Sequence, residues 1–456
     1  MGLMRCGGTL PGSRARSDIV VGGPCRLGYA TRFFRSTLGR NILALYLMQM
    51  ANYLLPLITV PYVFRVLGPG GFGAVAFGES LVASLGAVVN YGFELSATRL
   101  IAKTRHDPAE VSRIAGSVWV AKCSLCLLGL LAVSAVSRGV DGSVSLILVL
   151  YGIVVGQVFF PVWLFQGLER ITLASGINLG CRLVGVGAIF ALIKEPSDTL
   201  KYAAVLAMTS IAGGTTGAVV ARSSLGIKYV VPSLKEVWGA LTAGWTLFLS
   251  RGGITLFTTV NAFLLGYLAN ATAVGIYAPA ERVVLAASAL LSPVANAVYP
   301  RSSYLASTSV AASQLHVRRL LIAMTGLGIC LTAAVALGAR YIAEIIMGPG
   351  YARSIPVLWL LSSFILIDAV TNVLGIQLML ALGHDRPFRN ILFAAGFGNI
   401  ILALLLVPRW AEIGSALAML VSGIVVLVGQ GVYVCRKGLL RRVEVSSPAG
   451  GVAGRL

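Results

Sequence analysis

Charged residues are scarce in this sequence, and acidic residues are scarcer still. Only 11% of the 456 residues are Asp, Glu, Lys or Arg, and 16 acids stand against 36 Lys and Arg. A soluble domain carries about 25% charged residues, so this composition argues against an ordinary water-soluble fold. Apolar residues make up 57% of the chain, and its mean hydropathy is +0.87. Such a balance is typical of a protein embedded in a bilayer.

Cysteine and histidine are also few, with seven and three residues. Cys123 and Cys126 have the spacing of a metal finger, but they lie in a predicted apolar helix without a second pair of ligands. His106, His316 and His384 fall in predicted cytoplasmic loops, and no cysteine falls in a predicted external loop. The sequence therefore indicates no disulfide framework, zinc site, histidine proton relay or nucleophile–histidine pair, and we expect neither a metal nor another cofactor.

Long apolar stretches are what the chain has in abundance. A transmembrane helix needs about 20 mostly apolar residues to cross roughly 30 Å of hydrocarbon. The loops between the stretches are short, and the longest are 222–240 and 300–319. The pattern predicts an all-α membrane protein with about twelve spans, at 42–63, 71–93, 114–136, 145–167, 171–193, 202–221, 241–268, 273–299, 320–339, 356–382, 391–407 and 414–434.

Positive charge is concentrated on every second predicted loop. The N-terminal arm, the even-numbered loops and the C-terminal tail hold 25 of the 36 Lys and Arg residues, whereas the odd-numbered loops hold seven. Cytoplasmic loops of membrane proteins carry such an excess. The pattern therefore predicts that both termini are cytoplasmic. The net charge of +20 would then face anionic lipid headgroups rather than a nucleic acid.

The predicted spans divide into two halves of six. The loop 222–240 separates an N-terminal bundle at 41–221 from a C-terminal bundle at 241–435. Because each half has an even number of spans, both halves share one orientation, as in parallel repeats. We expect residues 1–40 to be a basic, disordered cytoplasmic arm, without the features of a secretory signal. Residues 436–456 are predicted to be a cytoplasmic tail.

A short internal match supports this division into halves. Gly73 lies in the turn into the second predicted span, and Gly275 lies at the start of the eighth. When the two glycines are superposed, Glu79 falls on Glu281, because each carboxylate lies six residues after its glycine. Parallel repeats predict such equivalent placing of residues in the two halves.

Four motifs in chain order resemble one family. They are Pro61-Tyr-Val-Phe-Arg-Val-Leu-Gly-Pro-Gly-Gly-Phe-Gly73, Tyr91-Gly-Phe-Glu-Leu-Ser-Ala-Thr-Arg99, Pro161-Val-Trp-Leu-Phe-Gln-Gly-Leu-Glu-Arg170 and Gly275-Ile-Tyr-Ala-Pro-Ala-Glu-Arg282. Together they resemble the O-antigen and exopolysaccharide flippases of the multidrug/oligosaccharidyl-lipid/polysaccharide exporter superfamily. The resemblance covers about residues 40–300, and the later spans match only in spacing and hydropathy.

This resemblance implies two pseudo-symmetric six-helix bundles that face each other in a V, with a cavity lined largely by spans 1, 2, 7 and 8. It implies a flippase rather than an enzyme, and a bacterial inner membrane location. The flippase would move a polyprenyl-diphosphate-linked oligosaccharide, an O-antigen or exopolysaccharide repeat unit, from the inner to the outer leaflet by alternating access. The expected partners are this lipid-linked oligosaccharide, membrane lipids, a polysaccharide polymerase and other assembly proteins.

A cavity that receives a diphosphate must offer cations at membrane depth. Arg251 lies about ten residues into span 7, and a guanidinium presents a planar fork of donors suited to phosphate oxygens. An alternative role for Arg251 is a structural ion pair with Glu281 or Asp368. The predicted substrate-binding residues are Arg251, Arg282, Gln49, Asn52, Thr255 and Thr259.

If a proton or sodium gradient drives the cycle, Glu79, Glu281 and Asp368 are the predicted ion-coupling residues. The alternative is that these carboxylates form static ion pairs with intramembrane cations. Lys122 and Arg182 are predicted to snorkel, with the charged group at the cytoplasmic surface.

The sequence leaves three other functions open. A MATE-like exporter of small molecules would share the fold, but cationic substrates would favour an acidic cavity without Arg251 and Arg282. A polysaccharide polymerase would need a large loop with convergent carboxylates, and the predicted loops are too short for one. A membrane scaffold would not need an arginine at mid-depth.

Overall fold

The computed structural model describes the backbone of residues 37–137, 144–228, 230–258, 260–308, 310–348 and 350–440. Within these ranges the side chains of residues 37–54 and 249–258, and of a few scattered positions, lie outside the description. The chain forms two units, residues 1–49 and residues 50–456. In the first unit the described part is helical backbone from Thr37. The contacts of the fold and of the cavity lie in the second unit.

The described residues are almost entirely helical, and no strand occurs among them. The α-helices are α1 Thr37–Asn90, α2 Phe93–Thr104, α3 Pro108–Ser137, α4 Val144–Phe159, α5 Val162–Gly167, α6 Ile171–Leu192, α7 Thr199–Leu225, α8 Leu234–Thr258, α9 Val260–Leu268, α10 Ala271–Ala289, α11 Ser292–Thr308, α12 Val310–Tyr341, α13 Ser354–Asn372 and α14 Asp385–Arg436. A 3-10 turn at Pro196–Asp198 precedes α7, and π-helical segments at Ile342–Met347 and Val373–Leu380 follow α12 and α13.

Nine helical segments among the described residues are long and apolar enough to cross a membrane. One of them, Asp385–Arg436, has 52 residues, or about 78 Å of helix, and it is broken at Ala411, where φ is 42°. It therefore contains two of the predicted spans. The nine segments together account for predicted spans 2 to 6 and 8 to 12. Span 1 and span 7 fall on α1 and on α8 with α9, where many side chains lie outside the description.

The two longest predicted loops are mostly helical, so that part of the sequence-based prediction is wrong. Helix α7 runs to Leu225 and α8 begins at Leu234. Helices α11 and α12 together cover nearly all of 300–319, and His316 lies within α12. A helix satisfies its backbone hydrogen bonds internally, so it can continue past the apolar run that marks the membrane. The end of the apolar run therefore does not mark the end of the helix.

A glycine turn brings the two halves of the chain into backbone contact. Gly68 has φ 65° and interrupts α1 between the first two predicted spans, in a region that glycine enters without steric cost. A Cβ atom on Gly73 would meet the backbone of Ala271 and Gly275, and a Cβ on Gly275 would meet the carbonyl oxygen of Pro69. The two glycines paired by the internal match therefore touch, as equivalent residues beside a pseudo-symmetry axis would.

The helices of the first half, α1 to α7, pack through small residues where α4 meets α7. A Cβ on Gly152 would lie 2.9 Å from the Cβ of Ala207, and Gly156 lies directly against Ser210. The Ser210 hydroxyl donates to the carbonyl oxygen of Ile153 at 2.9 Å. Within a bilayer such close approach and interhelical hydrogen bonding hold helices together. The seam between α4 and α7 is therefore tightly closed.

Candidate functional site

A cavity of about 690 Å³ lies among the helices of the first half. Ligand sites typically have volumes of about 300–1,000 Å³, so this space is large enough for a headgroup. Its charged lining residues are Glu79, Glu94, Lys122, Arg182 and Arg282. We call this space the cationic cavity, because three of these five side chains are basic.

The described lining differs from the expectation of spans 1, 2, 7 and 8. It comes from α1 to α7, and Arg282 on α10 is its one contribution from the second half among the described residues. The expectation rested on the resemblance, whereas the described lining includes four glycines of α4, α6 and α7, which are Gly156, Gly185, Gly213 and Gly214. Glycine is common in transmembrane helices, so these residues alone did not indicate a cavity.

Arg282 joins the two halves at the cavity through an ion pair with Glu79. The Arg282 side chain is 34% exposed and that of Glu79 is 25% exposed, so the pair is accessible from the cavity. The guanidinium also lies 5.0 Å from the ring centre of Phe72, a distance at which a cation is attracted to an aromatic face. Tyr202 on α7 lines the cavity beside the pair.

Glu281 points away from its neighbour Arg282, as two successive helical residues do when they are about 100° apart. The hydroxyl of Tyr277 donates to its Oε1 at 3.0 Å. The same hydroxyl lies 3.4 Å from the sulfur of Met419 on α14. Glu281 therefore faces the interior of the second half, whereas Arg282 lines the cavity.

The structure does not gather the three predicted ion-coupling carboxylates. Glu79 lines the cavity, while Glu281 and Asp368 are absent from its described lining. Asp368 is half-buried on α13. Among the described residues no group of three His, Cys, Asp or Glu side chains could hold a metal ion. The coupling role of these carboxylates stays a prediction.

Five of the six predicted substrate-binding side chains lie outside the described residues. Arg282 is the one that the structure describes, and it lines the cavity. The binding role of the others stays a prediction; they are Arg251, Gln49, Asn52, Thr255 and Thr259.

Lys122 is buried, with 2% of its surface exposed, so the prediction that it snorkels is wrong. Its Nζ donates to the carbonyl oxygen of Gln157 at 2.7 Å. Four residues later in the chain stands Pro161, which has no N–H to donate to that carbonyl. The carbonyl lies in the last turn of α4, where the helix dipole is negative. Lys122 therefore satisfies an acceptor that the proline leaves without its helical partner.

Side-chain amides extend the polar lining of the cavity. The Asn90 side chain donates to Gln157 Oε1 at 3.1 Å, and Asn178 on α6 also lines the cavity. Arg182, predicted to snorkel, lines the cavity one helical turn further along α6. The sequence signal for the pair of Lys122 and Gln157 was the proline in the motif 161–170, whose missing N–H requires another donor.

Apolar helices that surround a cavity with charged walls are the arrangement of a polytopic helical membrane protein. A solved structure described as "Lipid II flippase MurJ, inward closed conformation" is similar, with a TM-score of 0.70 at 14% identity over 87% of this chain and 89% of that chain. An inward-facing multidrug resistance MATE family transporter of the MOP superfamily gives a TM-score of 0.61 at 15% identity, over 89% and 99%. These likenesses confirm the predicted fold class.

The family follows from the sequence comparison. The description "Polysaccharide biosynthesis protein" matches residues 38–306, which is more than half of the chain. The chain therefore belongs to the polysaccharide biosynthesis protein family, and the resemblance drawn from the four motifs is confirmed. A relative from Escherichia coli (strain K12), named "Putative O-antigen transporter", is 29% identical over 85% of this chain and 94% of its own length.

Proposed function

We propose that this protein is a flippase that moves a polyprenyl-diphosphate-linked oligosaccharide from the inner to the outer leaflet of the bacterial plasma membrane. The observation that carries the proposal is the cationic cavity, with Lys122, Arg182 and Arg282 at membrane depth. A diphosphate cannot enter hydrocarbon unless cations and donors replace its water. The family, the name of the Escherichia coli relative and the fold shared with a lipid II flippase support the same substrate class.

Different residues of the lining suit the two polar parts of such a substrate, the diphosphate and the sugars. The three cations suit the diphosphate, since charge-assisted hydrogen bonds to phosphate are the strong ones. The amides of Asn90, Gln157 and Asn178 lie on the same walls and can donate to and accept from sugar hydroxyls. One cavity therefore offers both kinds of contact, while the lipid tail stays outside it.

Arg282 couples substrate binding to the contact between the halves. Its guanidinium pairs with Glu79 on α1, so a diphosphate that takes its donors competes with that carboxylate. Once displaced, Glu79 is a cavity carboxylate without its cation. This exchange links substrate binding to the α1–α10 contact, and Glu79 stays a candidate residue for coupling to a proton or sodium gradient.

The proposed location is the inner membrane, with both termini in the cytoplasm. The excess of Lys and Arg on alternate loops supports cytoplasmic termini and an inner membrane location. The protein then delivers repeat units to a polysaccharide polymerase and other assembly proteins on the far side, without itself making or breaking a covalent bond. The sugar sequence would be read by the amide-bearing walls of the cavity.

A MATE-like exporter of small molecules is the competing function, because it shares the fold. A cationic drug would meet three cations and two acids in this cavity, which is electrostatically unfavourable. The test is transport by purified protein in liposomes, with either a fluorescent polyprenyl-diphosphate disaccharide or a cationic dye in the starting leaflet. We expect the glycolipid to move and the dye not to. Movement of the dye alone would establish the exporter instead.

A further inference from the structure

A second space lies beside the cationic cavity, on the other side of the α6–α7 pair. It is a groove of about 600 Å³ with an almost wholly apolar lining. We call it the lateral groove; it is lined by Gly180, Cys181, Val184, Gly185, Ala188 and Leu192 on α6 and by Lys201, Ala204, Val205, Met208, Thr209 and Ala212 on α7.

The spacing of these residues makes one continuous channel along the helix pair. On each helix they recur every three or four positions, which places them on one face. Many of them are Gly or Ala, so the face is recessed. Val184 is 74% exposed and Met208 is 64% exposed, so the groove opens outward, towards lipid in a membrane. It is a shallow apolar channel, and the small side chains along it leave its width.

The wall between groove and cavity is one residue thick. Cys181, Gly185 and Thr209 line both spaces. Thr209 packs directly against Gly185, since a Cβ on that glycine would meet the Thr209 hydroxyl oxygen. The hydroxyl donates within its own helix, to the carbonyl oxygen of Val205 at 2.7 Å, so one side chain forms the wall there. Small rearrangements of Cys181 and Thr209 would therefore connect the two spaces.

Two other seams around the cavity are also closed by close contacts. The α4–α7 seam is sealed by Gly156 against Ser210. The α1–α10 seam is sealed by Gly73 against Gly275 and by the ion pair of Arg282 with Glu79. At the α6–α7 seam an apolar channel lies directly behind the polar wall.

We propose that the isoprenoid chain of the substrate lies in the lateral groove while its diphosphate occupies the cationic cavity, so that the lipid crosses the wall at Cys181, Gly185 and Thr209. The inference rests on the proposed function. A long apolar tail gains nothing from a cavity with charged walls, and it must leave sideways through a seam into the bilayer. The groove supplies an apolar bed that begins at the cavity wall itself.

Two glycines of α6 provide a matched test. A Cβ atom on Gly180 or on Gly187 would have nothing within 4 Å, so a side chain can begin at either position in open space, but only Gly180 lines the groove. In liposomes with a fluorescent polyprenyl-diphosphate disaccharide, we expect Gly180→Leu to lower the transport rate about tenfold and Gly187→Leu to match wild type. Equal rates for the two variants would overturn the proposal. An inactive wild type would instead count against the proposed function.

Photo-crosslinking locates the tail directly. A benzophenone amino acid at position 184 faces the groove, while one at position 183 is also exposed but lies outside the groove lining. With radiolabelled polyprenyl diphosphate in the liposomes, we expect strong labelling from position 184 that unlabelled polyprenyl diphosphate competes away, and weak labelling from position 183. Labelling of position 184 by phospholipid alone, or equal labelling at both positions, would show that the groove holds only bulk lipid.

Discussion

Replacing Glu79, the carboxylate that pairs with Arg282, tests two roles of the ion pair. Either a bound diphosphate competes with Glu79 for the guanidinium, or the pair only holds the helices together. In the Glu79→Gln variant the guanidinium keeps its place beside Phe72 but loses its charged partner. The side chains of the pair are 34% and 25% exposed. Two unit charges about 4 Å apart attract by about 4 kcal/mol at an effective dielectric constant of 20, and exposed pairs contribute about 0–1 kcal/mol. The contribution of a partly exposed pair lies between these two values, at about 1–2 kcal/mol. This corresponds to a factor of about 5–30 in a binding constant.

If a diphosphate competes with Glu79 for Arg282, it must break the ion pair in order to bind. Without Glu79 that cost is absent, so the diphosphate should bind more tightly by the free energy of the ion pair. We expect purified Glu79→Gln protein to bind inorganic pyrophosphate about tenfold more tightly than wild type by titration calorimetry. Transport of the lipid-linked disaccharide should nevertheless slow, because the carboxylate that displaces the product from Arg282 is gone. Arg282→Ala should weaken pyrophosphate binding, and Arg282→Lys should retain part of it, since lysine keeps the charge but loses the fork.

The control is Glu344→Gln, which removes the same charge from an exposed pair with Arg340 outside the cavity lining. It should leave pyrophosphate binding unchanged. Unchanged or weaker binding by Glu79→Gln would refute the competition, because the pair would then only position the helices. Tighter binding by Glu344→Gln as well would show a general effect of net charge rather than an exchange at Arg282.

Three further predictions follow from other contacts. Lys122→Met should lower polysaccharide export at least about tenfold at normal membrane abundance, because a desolvated cation at the cavity is lost; normal export would remove Lys122 from the site. Gly275→Val should reduce export similarly, since its side chain would enter the backbone contact, whereas Gly326→Val, in open space, should not; equal export by both variants would refute the need for that contact. Hydrogen bonds from the backbone N–H and hydroxyl of Ser233 lower the pKa of Glu236 in the first turn of α8. The stability that these hydrogen bonds add is therefore present above the unfolded pKa of about 4.3 and is lost as pH falls through the lower folded pKa. The melting temperature of Glu236→Gln should depend less steeply on pH over that range than that of wild type. An equal pH dependence of the two melting temperatures would contradict this.

The fold could be predicted from the sequence because a membrane span is a local property. Its length and its lack of charge are visible in about twenty consecutive residues. Arg282 could be predicted for the same reason, since a charge inside an apolar span stands out. Lys122 was misread because its role depends on the carbonyl of Gln157, 35 residues away in the chain. Only tertiary structure shows that the carbonyl freed by Pro161 faces that lysine.

The positions of the two glycines and of the ion pair suggest how a ligand in the first half opens a contact with the second. Gly73 and Glu79 are six residues apart on α1, or about 9 Å, and Gly275 and Arg282 are seven apart on α10, or about 10 Å. The α1–α10 seam is therefore held at two points less than two turns apart. The glycine contact brings backbone against backbone and provides no charged link. If the diphosphate takes Arg282 from Glu79, the seam loses its ion pair, and the free energy needed to part the halves falls by what that pair supplied.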